Sequence, residues 1–176
     1  MNKNLVEWSK SLETFHLPRW DELPDLELYS IQVINLINNY LYILEEDNLI
    51  TSAMINNYVK NKMMPKPINK KYHKIHLAYL IAITILKQVL TINQINSGVR
   101  YQEEHSSLKL AYNYLCVEVE RCLNNVYKQV NGDVKNLDLN IPDKSQALNF
   151  AVNAFACKLV ADKIVELNKL KENNYE

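Results

Sequence analysis

The chain has 176 residues, 20 basic and 20 acidic side chains, a formal net charge of zero and 48% hydrophobic residues. That is enough apolar surface for a real core in one domain, or a small domain with an appended helical unit, and it excludes a disordered or collagen-like chain. The two glycines, Gly98 and Gly132, lie too far apart to cradle a phosphate, which excludes P-loop and dinucleotide-binding fingerprints, and their scarcity disfavours an all-β fold built on tight hairpins.

The first predicted element is a short helix over Asn4 to Leu12. Leu17-Pro18-Arg19-Trp20 and Leu23-Pro24-Asp25 follow as an extended lead-in, because a residue before proline is pushed out of the helical region. Residues 1–27 are therefore expected to pack on the core, with Trp8 and Trp20 covering it. From Leu28 to Leu44, Ile31, Ile34, Ile37, Tyr40 and Leu44 recur at helical spacing until Glu45-Glu46-Asp47-Asn48 breaks the pattern. Thr51 or Ser52 caps a second helix whose apolar face is Met54, Ile55, Tyr58, Val59 and Met63. Pro65 and Pro67 forbid a helix over Met64 to Tyr72, leaving a short basic loop or wing.

A helix from His73 or Lys74 to Leu90 is apolar on nearly every face and is placed at the centre of the domain. Thr91 with Gln94 forms a capping box for a further short helix through Ile92 and Ile95. Leu108, Tyr112, Leu115, Val119, Leu123, Val126 and Val130 then step along one helical face to a stop at Gly132. A loop over 133–142 precedes a final helix from about Lys144 to Leu170, in which Ala147 to Ala161 has only Asn149, Asn153 and Lys158 as polar residues. A helix that apolar needs a second subunit as well as its neighbour to cover it, so a homodimer is expected.

The neutral total hides an uneven distribution. Residues 1–47 hold nine acids against three bases, and residues 103–176 eleven acids against nine bases. Residues 48–102 hold no acid, yet carry Lys60, Lys62, Lys66, Lys70, Lys71, Lys74, Lys87 and Arg100. A stretch of one sign in a neutral protein points to a polyanionic partner, most simply duplex DNA.

Two helices, a basic loop and a buried helix follow one another in the order of a winged helix-turn-helix. The exposed side of the second helix carries Ser52, Ala53, Asn56, Asn57 and Lys60. Asparagine can pair bidentately with adenine in the major groove, and Ser and Ala are small enough to let a helix approach the bases. Tyr58, Lys62, Lys66, Lys70, Lys71 and Tyr72 are the candidates for phosphate and wing contacts, which set register and affinity rather than sequence, and for Tyr58 and Tyr72 packing of the rings in the domain core is an equal alternative.

The stretch Met54-Ile55-Asn56-Asn57-Tyr58-Val59-Lys60-Asn61-Lys62-Met63-Met64-Pro65 resembles the recognition helix of MerR-type regulators. Ile55, Tyr58, the apolar pair Met63-Met64 and Pro65 keep that pattern, whereas Asn56 and Asn57 stand for its arginine and first tyrosine, and Lys62 for its glycine. A closer resemblance, over about Leu17 to Ile95, is to the bacterial family called domain of unknown function 1836. It rests on Leu23-Pro24-Asp25-Leu26-Glu27-Leu28-Tyr29-Ser30-Ile31-Gln32-Val33, then Leu49-Ile50-Thr51 and Asn57-Tyr58-Val59-Lys60. These resemblances imply an all-α, or nearly all-α, winged helix-turn-helix over 28–104, and the apolar helices of 105–176 are expected to form a C-terminal dimerisation or effector region. They imply a DNA-binding transcriptional regulator, with a small-molecule effector left open.

Other constellations carry less. His73 and His76 form an H-x-x-H with no carboxylate or cysteine close in sequence, so they are read as positive character beside the wing rather than as metal ligands. Cys116, Cys122 and Cys157 include no C-x-x-C pair, which argues for a reducing compartment and no structural zinc, and Cys116 and Cys122, six apart on a helix, are read as buried thiols. His105, Ser106 and Ser107 lack a nucleophile elbow, so neither an enzyme nor a cofactor is expected. Met1 to Leu12 has no apolar core of a signal peptide, and the run Leu77 to Leu86 is far short of the roughly 20 residues that span a bilayer. The expectation is a cytoplasmic protein without membrane contact. The alternative function is a helical protein–protein interaction module that uses the same fold without binding DNA.

Overall fold

The computed structural model describes residues 3–136 and 145–172, and the regular structure within them is helical. In chain order it comprises α1 (Lys3–Glu13), α2 (Ser30–Tyr40), a single 3-10 turn at Glu46–Asn48, α3 (Ser52–Lys60), α4 (Lys74–Leu86), α5 (Ile92–His105), α6 (Leu108–Asn131) and α7 (Gln146–Glu172). Among the described residues no strand forms; the extended pairings are the isolated antiparallel bridges Leu28–Tyr72 and Ile68–Lys71. The all-α expectation stands, and the stretch expected as a wing is one tight turn without a strand.

The chain divides into two compact units, His16–Cys116 and Met1–Phe15 together with Val117–Glu176. The lead-in after His16 is bonded to the first turns of α6. In the His16–Cys116 unit the Tyr112 hydroxyl donates to Pro18 O at 2.8 Å, and Asn113 Oδ1 accepts the Trp20 backbone N–H at 2.8 Å. The Trp20 and Tyr112 rings meet edge to face, with centroids 6.5 Å apart.

The core of this unit is α4, in which nine of thirteen residues are buried. Its sequence lacks a polar face, so only complete burial suits it. Packing of α2 on both α3 and α4 joins the expected helix pair to this centre. At Ser30, α2 begins later than the periodicity suggests, because Tyr72 takes both backbone groups of Leu28 at 2.8 and 2.9 Å. α5 runs to His105, well past the expected short helix; the Tyr79 hydroxyl on α4 donates to the Glu103 carboxylate near its far end. Burial and that carboxylate push the Tyr79 phenol well above its ordinary range.

In the other unit α1 packs on α7, and Leu5, Val130 and Leu167 form a cluster flanked by Val6, Trp8 and Val160. Gly132, at φ +82°, ends α6 as expected. Cys122 is buried, and burial pushes its thiol up to about 11, which leaves it inert at neutral pH. Of the expected loop and of the helix start at Lys144, residues 137–144 lie outside the described residues. α7 buries Val152, Phe155, Ala156 and Leu159 on one side, while Phe150 on another is 57% exposed.

Candidate nucleic-acid interface

Asn38 sets where α3 begins. Its Oδ1 accepts the Ile50 backbone N–H at 3.0 Å and its Nδ2 donates to Ile50 O at 3.3 Å, so one side-chain amide on α2 satisfies both backbone groups of the residue that leads into α3. Thr51 then caps the helix, its Oγ1 accepting the Met54 N–H at 3.4 Å. Ile55 and Tyr58 are buried, which turns Ser52, Ala53, Asn56, Asn57 and Lys60 outward onto exposed surface. The structure thus brings the five expected base-reading residues onto one accessible side of α3. Asn57 is already engaged: its Oδ1 accepts from Asn61 Nδ2 at 2.9 Å. A bidentate adenine contact needs the carbonyl and amino groups of one amide together, so of the two asparagines Asn56 is the better disposed.

At the C-terminus of α3 a lysine takes a backbone conformation that glycine adopts most readily. Lys62 N–H bonds to Val59 O and Met63 N–H to Tyr58 O, a Schellman closure that needs a left-handed residue between them. Lys62 supplies it at φ 56°. The same conformation recurs at the loop tip, where Asn69 (φ 49°) and Lys70 (φ 63°) turn the chain between Ile68 and Lys71. Ile68 and Lys71 exchange both backbone hydrogen bonds across this turn, at 3.0 and 2.8 Å. Non-glycine residues pay about 1–2 kcal/mol for a left-handed backbone, and two of these three positions are lysines.

The loop is anchored by His76. Its Nδ1 accepts the His73 N–H at 2.9 Å, and its Nε2 lies 3.2 Å from Lys66 O, to which it donates when Nδ1 is the acceptor. The ring is buried, and burial holds its pKa below the ordinary 6.5. His76 is therefore a neutral clip between the loop and α4, and the positive character expected of the His73–His76 pair does not come from His76. Of the two readings of Tyr58 and Tyr72, phosphate contact or packing in the core, burial favours the second, and it raises both phenols. They form the floor of the site rather than its surface.

The remaining lysines divide. Lys71 Nζ lies 3.5 Å from the centroid of the Tyr29 ring, a cation–π contact that holds its charge against the body of the unit. Lys60, Lys62, Lys66 and Lys70 are exposed, and among the described residues none of them takes part in an ion pair. Asn38 and Tyr29 were not marked as site residues by the sequence, and His76 was marked beside the wing in a different role. The one signal that could have marked its anchoring role is its place three residues after His73, where a side chain caps the backbone at the start of a helix.

A family model matches residues 18–115, nearly the whole of the His16–Cys116 unit. The chain belongs to the DUF1836 family, described as a domain of unknown function. The DUF1836 span contains α2, α3, the basic loop, α4 and α5, so the whole candidate interface falls inside it. No curated protein and no solved structure matches the chain. Among the described residues no group of His, Cys, Asp and Glu gathers to hold a metal ion, and no helix is long and apolar enough to cross a membrane.

Proposed function

We propose that this DUF1836 protein is a sequence-specific, dimeric DNA-binding transcriptional regulator of the MerR-like winged helix-turn-helix type. In this reading α2 and α3 are the helix-turn-helix, α3 enters the major groove, and the loop from Lys62 to Tyr72 acts as the wing along the phosphates. The observation that carries it is the chemistry of the surface: an exposed Ser/Ala/Asn/Lys face on α3 adjoins lysines without ion-pair partners among the described residues, two of them held in a left-handed backbone where glycine is cheaper. Strain retained at charged, solvent-exposed positions is what a binding surface is expected to show.

Fluorescence anisotropy on the duplex upstream of the gene, against a scrambled duplex across a salt series, tests the reading. Binding that prefers the upstream fragment and falls steeply with salt is the expected result, since each neutralised phosphate contributes about −0.9 to the log–log slope. Lys70→Glu with Lys71→Glu is expected to abolish it. Weak binding that ignores sequence would sink the regulator and favour the protein-interaction module, whose lysines would meet an acidic protein.

A further inference from the structure

We infer that α7 is a dimer seam that pairs with α7 of a second copy in antiparallel register, with Ala154 and Cys157 at the two-fold axis. The inference rests on the dimeric part of the reading above and not on DNA binding. Ala147, Phe150, Ala154, Cys157, Ala161 and Ile164 are all exposed, and their alternating spacing of three and four is that of a coiled-coil stripe. Phe150 and Ile164 are 57% and 40% exposed, with Val165 at 52% alongside. The stripe lies apart from Val152, Phe155, Ala156 and Leu159, which face the core.

The choice of occupant follows from side-chain size. Small and larger residues alternate strictly along the stripe: Ala147, Ala154 and Ala161 against Phe150, Cys157 and Ile164. Antiparallel pairing about a point between Ala154 and Cys157 sets Ala147 opposite Ile164, Phe150 opposite Ala161 and Ala154 opposite Cys157. Every larger side chain then meets an alanine, so Phe150 and Ile164 never oppose a bulky partner, and the small Ala154–Cys157 layers allow the closest approach at the axis. Parallel pairing would stack Phe150 on its own copy and leave voids at the alanine layers. No stripe position is charged, and the neighbouring Lys158 is neutralised within its own helix by Asp162. A second copy therefore meets no like-charge penalty. The stripe is about 26 Å long at 1.5 Å per residue. A contact of that length and about 10 Å across has a footprint well below the roughly 1,200 Å² of tight complexes, so the dimer is expected to be weak and to exchange with monomer at micromolar or higher concentration.

Sedimentation of the full chain from about 1 to 100 µM is expected to show that exchange. Ala154→Glu is expected to sediment as a monomer throughout, with unchanged far-UV circular dichroism because the position is exposed, and with a melting temperature that no longer rises with protein concentration. Orientation is read by mixing A147C/C157A and I164C/C157A chains with a short bis-maleimide, the buried Cys116 and Cys122 being protected. Cross-links between the two variants are expected, and none within A147C/C157A alone. A wild-type chain that stays monomeric, an Ala154→Glu chain that stays dimeric, or self-linking of A147C/C157A would each overturn the inference. A dimer of this register that binds no DNA would leave it standing and remove the regulator reading alone.

Discussion

The side-chain amide of Asn38 on α2 takes both backbone groups of Ile50, at 3.0 and 3.3 Å, and so fixes the chain immediately before α3. No short-range pattern replaces that pair of bonds, and Ile50 itself is buried. Asn38→Ala leaves both Ile50 groups without their partner and is expected to cost about 1–3 kcal/mol in urea unfolding. Asn38→Asp keeps the acceptor but loses the donor, and its stability should fall between wild type and Asn38→Ala. An Asn38→Ala chain as stable as wild type would show that water replaces the amide.

Lys62 and Lys70 sit in a backbone conformation that glycine adopts without strain. Each of Lys62→Gly and Lys70→Gly is expected to stabilise the fold by up to about 1 kcal/mol, the relief of strain being partly offset by the extra freedom of glycine in the unfolded chain. Each should also weaken DNA binding and reduce the steepness of the salt dependence by about 0.9, the share of a single phosphate. Lys→Arg at either position should keep affinity without the gain in stability. If the glycine variants gain stability and keep full affinity, these lysines do not touch DNA.

The position of Asn57 beside Asn61 separates the two asparagines. Asn56→Ala is expected to cost about 1–3 kcal/mol of discrimination between cognate and scrambled duplex while sparing non-specific affinity. Asn57→Ala should cost less, since its carbonyl is spent on Asn61 at 2.9 Å. Equal loss on both duplexes would remove the base-reading role.

His76 makes the loop anchor sensitive to acid. Its folded pKa lies below the ordinary 6.5 because of burial, so below that pH the unfolded chain binds a proton that the folded chain refuses. Stability from this residue is complete above about pH 6.5 and is lost as pH falls toward its folded pKa. His76→Gln offers an acceptor to His73 N–H and a donor to Lys66 O without titrating. Its melting temperature should therefore decline less than that of wild type between pH 7 and 5; identical declines would show that the carboxylates alone control this range.

Thr84 is completely buried in α4, and its hydroxyl has no hydrogen-bond partner among the described residues. Replacing it by valine keeps the shape and removes an unsatisfied group, so Thr84→Val is expected to stabilise by about 1–2 kcal/mol in thermal or urea unfolding. A destabilised variant would show that the hydroxyl is bonded in solution.

What the sequence determined by itself are the features governed by short-range chemistry. The Thr51 cap, the Thr91–Gln94 box and the Gly132 stop each depend on residues within a few positions of one another, and each is present. The buried character of α4 was likewise legible, because a helix without a polar face has only one place to go. The polar face of α3 followed from the same periodicity.

Only the tertiary structure decided the rest. Scarce glycine argued against tight turns, yet Asn69 and Lys70 make one, because the exchange of bonds between Ile68 and Lys71 offsets a strain that composition does not register. The Asn38–Ile50 pair and the His76 clip join groups ten or more residues apart, beyond any local pattern. Tyr58 and Tyr72 look alike as aromatic neighbours of lysines, and only packing puts both in the core. In α7 the apolar residues run round most of the helix, so periodicity cannot say which side stays open; packing within its unit leaves the Phe150–Ile164 stripe exposed. Local hydrogen bonds are written in neighbouring letters, whereas burial depends on what the rest of the chain brings alongside.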